Sequence, residues 1–156
     1  MEVVGVKEDG TLVLNPDSAP STSTSVFERA SSMKEKGNLL LVKMKRTFEA
    51  IRVYTSGIEL ITESGKKNRP EDVKLRRLLL ELYSNCALAL LREKDYESTI
   101  VLCDQAIELC PERAYKAMHR KGQALKLLGR VSESKTWLKR AKTLKNTSSK
   151  NTSTST

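Results

Sequence analysis

Asn85-Cys86-Ala87-Leu88-Ala89-Leu90-Leu91-Arg92-Glu93-Lys94-Asp95-Tyr96-Glu97-Ser98-Thr99-Ile100, closing at Cys103, Ala106 and Pro111, reads as one helical hairpin. Apolar residues recur at spacings of three and four, the helical period, on both sides of a break between Glu93 and Asp95. Residues 120 to 141 repeat the pattern 35 residues later, with Gly122, Leu125, Gly129, Val131, Ser134, Leu138 and Ala141 in the equivalent places. Small residues let the two helices of a hairpin approach closely, and large ones fill the space between successive hairpins. A period of this length marks a stacked-repeat architecture.

Working outward, a first copy starts at Lys34-Glu35-Lys36-Gly37-Asn38 and continues through Ala50, Tyr54 and Ile58. It departs from the pattern by one extra residue in the turn Lys43-Met44-Lys45-Arg46-Thr47 and by Gly57 where alanine is usual. The expected helices run from Ser25 to about Lys43, from Thr47 to about Thr62, to about Glu93, from Asp95 to Leu109, from Glu112 to Leu128 and from Ser132 to Leu144. Gly65-Lys66-Lys67-Asn68 breaks the pattern after the second, and Pro70-Glu71-Asp72 has the chemistry of a helix start, with proline in the first turn and acids near the positive end of the dipole. Six helices make three antiparallel hairpins, an all-α chain. Before them, Val3-Val4-Gly5-Val6 and Thr11-Leu12-Val13-Leu14 give a weak hairpin signal, marginal by itself in water. Asn15 to Ser25 is a proline-bearing polar linker, and Asn146 to Thr156 is almost wholly Ser, Thr, Asn and Lys, so both ends are expected to lie outside the fold.

The small-x-x-large spacing, the aromatic at the turn and the closing proline resemble the tetratricopeptide repeat. The resemblance covers about residues 30 to 145: repeat 1 at about 30–63, repeat 2 at about 79–111 and repeat 3 at about 113–145, within a domain of 25–145. Residues 62–78 would then be extra helix, an extension similar to that of immunophilin-type and mitochondrial-import-type co-chaperones. The fold implied is three helix-turn-helix repeats in a short right-handed superhelix, with residues 1–24 a flexible segment and 146–156 a disordered tail. Such arrays commonly end in an extra helix covering the last hairpin, and none is evident here. Of Trp137, Leu138, Ala141 and Leu144 at that end, Leu138 and Ala141 read as core of the third hairpin, Trp137 is less easily hidden, and any apolar surface left open would be covered by residues 1 to 14 or by a second copy in a weak homodimer.

Within that family the chain is similar to the co-chaperones with a dicarboxylate clamp. Lys34 and Asn38 in the first hairpin, Asn85 in the second, and Lys116 and Arg120 in the third fill all five clamp positions as that subfamily fills them. The spacing has its own logic, because Lys34 with Asn38 and Lys116 with Arg120 are i, i+4 pairs that share a helix face. A peptide ending in Asp offers two carboxylates at one residue. Three cations and two amides match that demand, at roughly 1.5–3 kcal/mol per charged hydrogen bond before the cost of ordering the peptide. The resemblance implies an adaptor or co-chaperone that binds the Glu-Glu-Val-Asp tails of the 90 kDa and 70 kDa heat-shock chaperones, without enzymatic activity, cofactor or metal.

Composition narrows the alternatives. With 156 residues, 38% of them apolar and 30% charged, the chain suits one domain with a modest core. No apolar run reaches the roughly 18 residues of a membrane helix, and the acidic start Met1-Glu2-Val3-Val4-Gly5-Val6-Lys7-Glu8-Asp9 is unlike a targeting signal, so a cytosolic location is expected. Cys86, Cys103 and Cys110, odd in number and without C-x-x-C spacing, read as reduced core residues. The single His119 reads as helix surface. Residues 1 to 31 carry a net −3 and the remaining 125 carry +12, so the folded part is basic. That charge suits an acidic peptide and, as a rival, RNA; 4% aromatic content and no stacking module argue against RNA. The other rival is a tetratricopeptide groove for a different acidic or apolar peptide. Asn146-Thr147-Ser148 and Asn151-Thr152-Ser153 match the glycosylation triplet but read as products of a biased tail.

Overall fold

The structure is a computed structural model that describes residues 23–65, 70 and 72–154. The expected hairpin of residues 1 to 14 and the break at Lys66-Lys67-Asn68 lie outside the described residues. Six α-helices follow one another: α1 (Ser23–Asn38), α2 (Thr47–Gly65), α3 (Val73–Arg92), α4 (Tyr96–Leu109), α5 (Tyr115–Leu127) and α6 (Val131–Thr154). Each helix packs antiparallel on its successor within a hairpin, and α2 on α3 and α4 on α5 join the hairpins; α1, α3 and α5 lie side by side as an inner layer. This is the three-repeat stack expected from the 35-residue period.

All three hairpins turn on a residue in the left-handed conformation at the same place: Lys45 (φ 58), Lys94 (φ 65) and Gly129 (φ 87). The amide of the next residue then reaches back over the last turn, Asp95 to the Leu90 carbonyl at 3.0 Å and Arg130 to the Leu125 carbonyl at 2.8 Å, which satisfies a carbonyl that the helix end would leave open. In the first hairpin the same bond runs from Arg46 to Leu40 at 2.8 Å and spans one residue more. The extra residue is absorbed by a single π-helical turn, Leu39–Lys43, that widens the end of the helix.

The first and second hairpins are further apart in the sequence than the second and third: Lys45 and Lys94 are 49 residues apart, whereas Lys94 and Gly129 are one 35-residue period apart. The extra length is mostly helix, in the last turn of α2 and the first turns of α3. Asp72 caps α3, its carboxylate accepting from the amides of Lys74 at 2.8 Å and Leu75 at 3.4 Å. Pro70 therefore stands before the cap and not in the first turn, because an aspartate that takes two orphan amides defines the helix start more strongly than a proline. It is buried, and its carbonyl accepts from Arg76 Nη1 at 2.8 Å.

The core follows the small and large alternation. Ala30, Ala50, Ala87, Ala89, Ala106, Ala117 and Ala124 have no exposed surface, and Tyr54, Ile61, Leu79, Leu82 and Leu125 fill the spaces between them. Two glycines mark the closest approaches: a methyl group at Gly37 would lie 2.5 Å from Tyr54 Cε1, and one at Gly122 2.6 Å from Leu138 Cδ2. Cys86, Cys103 and Cys110 are buried and form no disulfide with one another, and burial pushes the Cys86 thiol up to about 11 and that of Cys103 to about 12.

One expectation is corrected. α6 does not stop near Leu144 but continues to Thr154, through most of the stretch assigned by composition to a disordered tail. The hydroxyl of Thr147 bonds back to the Thr143 carbonyl at 3.0 Å, a local satisfaction that lets a polar sequence extend a helix already nucleated by packing. Among the described residues no further helix follows α6.

Candidate functional site

The inner layer brings Asn38 of α1 and Asn85 of α3 into contact: Asn85 Nδ2 donates to Asn38 Oδ1 at 3.0 Å. The same oxygen accepts from the Tyr54 hydroxyl of α2 at 2.5 Å. Two donors on one amide oxygen fix which way the Asn38 amide points, since a flipped amide would set its NH2 against both donors. Each NH2 group carries two hydrogens, so Asn85 keeps one, and the Asn38 NH2 is engaged by neither bond. Burial raises Tyr54 to about 12, with Cys86 adding to the rise and Arg120 and Arg92 opposing it, so its hydroxyl stays a donor.

Arg120 of α5 donates Nη1 to the carbonyl of Ser84 on α3, 2.8 Å away. Burial lowers its pKa from the ordinary guanidinium value, a penalty that the field of Arg92 adds to and those of Cys103 and Tyr54 oppose. No carboxylate pairs with Arg120 among the described residues. A half-buried cation held by a backbone carbonyl alone is electrostatically incomplete, and an anion at that point would complete it.

Lys34 of α1 is already paired. Its Nζ lies 2.8 Å from Glu81 Oε1 of α3, with the lysine side chain 20% exposed. Glu81 and Asn85 line a cavity of about 230 Å³ between α3 and α5, which also reaches Ser84, Arg77, Arg113 and Lys116. Lys116 is exposed and Arg120 stands one turn beyond it. Of the five residues singled out in the sequence, Asn38 and Asn85 are in direct contact, Lys34 reaches α3 through Glu81, Lys116 lines the same cavity as Asn85, and Arg120 is bonded to the carbonyl of Ser84.

Sequence reasoning missed three participants. Glu81 occupies Lys34, the Ser84 carbonyl anchors Arg120, and Tyr54, noted only as a repeat position, orients Asn38. Tyr54 carried a usable signal, a hydroxyl-bearing side chain at a core position of the repeat. The Glu81 pairing spans 47 residues and has none.

The comparisons agree with this architecture. Residues 115–148 match the family described as tetratricopeptide repeat. No curated protein matches the chain. Among solved structures, the second tetratricopeptide domain of Spaghetti (RPAP3) bound to the HSP90 peptide SRMEEVD is similar, with a TM-score of 0.61 at 27% identity over 78% of this chain and 97% of that one. The first tetratricopeptide domain of human RPAP3 gives 0.60 at 28% identity over 76% and 80%. A C-terminal tetratricopeptide domain from Plasmodium falciparum gives 0.69 at 22% identity over 81% and 83%, a likeness of fold alone. The chain is all-α, and its stack of three helical hairpins is similar in fold to tetratricopeptide domains.

Proposed function

We propose that the inner face of this scaffold binds the free C-terminal carboxylates of an acidic peptide, in the manner of the dicarboxylate-clamp co-chaperones, with the tail of the 90 kDa or 70 kDa heat-shock chaperones as ligand. Arg120 carries the reading: a half-buried guanidinium without a carboxylate partner among the described residues, bonded to the carbonyl of Ser84, the residue next to Asn85. Lys116 and Lys34 would supply the outer charges and Asn38 and Asn85 the amide hydrogens. The likeness to domains bound to the HSP90 peptide SRMEEVD, at 27% identity, supports the choice of ligand. On this reading the protein is a cytosolic adaptor.

The test is a calorimetric titration with the peptide Met-Glu-Glu-Val-Asp, as free acid and as C-terminal amide, against wild type, Lys116→Ala and Arg120→Ala. Either the amide or either substitution is expected to weaken binding at least tenfold, about 1.4 kcal/mol. Equal binding in every arm would end the clamp hypothesis.

A further inference from the structure

The net charge of the chain is +9, and residues 115–154, the hairpin of α5 and α6, hold eleven Lys and Arg against the single acid Glu133, a net +10. The two preceding hairpins and the ends are together near neutral. The same hairpin carries an open groove of about 520 Å³ between its helices. Its floor is apolar, made by Leu138, Ala141 and Tyr115, and its rim is formed by His119, Lys142 and Lys145, with Lys116 and Arg120 on the edge shared with the inner face. No acid lines it.

The stacking rule of the fold says what shape fits. α3 lies in the angle between α1 and α2, and α5 in the angle between α3 and α4. The corresponding angle between α5 and α6 is this groove, and no helix among the described residues fills it. An α-helix is therefore the occupant whose diameter and packing match, with an apolar stripe toward Leu138 and Ala141. Charge fixes its chemistry: its flanks must be acidic to face His119, Lys142 and Lys145. A second copy of the hairpin, itself at +10, is repelled, and RNA gains nothing from an apolar floor.

We propose that the groove between α5 and α6 docks an acidic amphipathic helix of a partner protein, at a site that adjoins the carboxylate clamp along the Lys116 and Arg120 edge and extends away from it over α6. Such a helix needs no free C-terminus. It completes the stack in trans and brings a second protein to the end of the scaffold opposite α1, next to any tail held on the inner face.

The probe is an 18-residue peptide, acetylated and amidated so that it has no free carboxyl terminus, with Leu at i, i+3, i+4 and i+7 and Glu on the flanks. Fluorescence anisotropy with the full chain should show saturable binding in the micromolar range and a gain in helicity by circular dichroism. Lys142→Gln with Lys145→Gln should weaken it at least fivefold, as should His119→Glu, while binding of the free-acid Met-Glu-Glu-Val-Asp peptide changes less than twofold. Pentapeptide binding left unchanged by Arg120→Ala and by C-terminal amidation, with helix-peptide binding retained, would sink the clamp and leave this site standing. The proposal is overturned by any of four results: no peptide binding at 100 µM protein, equal binding of the same composition interrupted by two prolines, preferential binding of a 16-residue oligouridylate that the lysine substitutions abolish, or a dimer in light scattering that they dissociate.

Discussion

Lys34 is held by Glu81, 2.8 Å away across 47 residues of chain, so one of the cations assigned to the clamp stands neutralised before any ligand arrives. An incoming carboxylate must displace or share that partner. Glu81→Gln is therefore expected to strengthen binding of the free-acid tail peptide by about two- to fivefold, the range of an exposed ion pair. Titrations at 50 and 300 mM salt check it; a substitution that weakens binding would mean Glu81 positions Lys34 and does not compete for it.

The Tyr54 hydroxyl decides which way the Asn38 amide faces. Tyr54→Phe keeps the ring in the core and removes the bond, at a stability cost of about 0.5–1.5 kcal/mol. With only Asn85 left to orient it, Asn38 should lose register, and tail affinity should fall several-fold. Urea denaturation and calorimetry on the same sample separate the two effects.

Gly37 and Gly122 predict opposite functional outcomes for the same chemical change. Each alanine would place a methyl against a large side chain, Tyr54 in one case and Leu138 in the other, costing about 1–3 kcal/mol by overpacking. Gly37→Ala displaces the tyrosine that orients Asn38, so tail binding should be lost along with stability. Gly122→Ala should destabilise the third hairpin yet leave the pentapeptide within about twofold of wild type.

The buried thiols give the protein an alkaline limit. Cys86 and Cys103 titrate at about 11 and about 12 in the fold, above their ordinary 9.0, and Tyr83 is raised as well. Between pH 9 and 11 the unfolded chain releases protons that the native chain keeps, so stability contributed by the neutral thiols is intact below pH 9 and falls as pH rises. The urea midpoint should be level from pH 7 to 8.5 and drop steadily above pH 9. At pH 8 all three cysteines should resist iodoacetamide in the native state and react on unfolding.

The hairpins were legible because close packing of helices demands small residues at fixed places, and Ala87, Ala89, Ala106, Gly122 and Ala141 reveal those places at a 35-residue spacing. The insertion in the first turn was visible as a count, but not its solution, since nothing local in Leu39–Lys43 distinguishes a π turn from one more α turn. The continuation of α6 past Leu144 was illegible for a different reason: Ser, Thr and Asn are poor helix formers alone, and only a packed helix preceding them carries the chain onward. At the site, the i, i+4 pairs pointed to shared faces, whereas contacts between hairpins, such as Arg120 with Ser84, depend on the stacking offset that no single-chain periodicity encodes.

Trp137 is the one tryptophan of the chain, and its ring lies between Lys121 Nζ at 4.1 Å and the Arg140 guanidinium at 4.4 Å. Its emission is thus a local gauge on the terminal hairpin, blind to α1 and α2, while far-ultraviolet ellipticity averages over every helix. Thermal melts followed by both signals can report whether the array opens from its cationic end or in a single step. Added polyanions offer a label-free handle on that end alone.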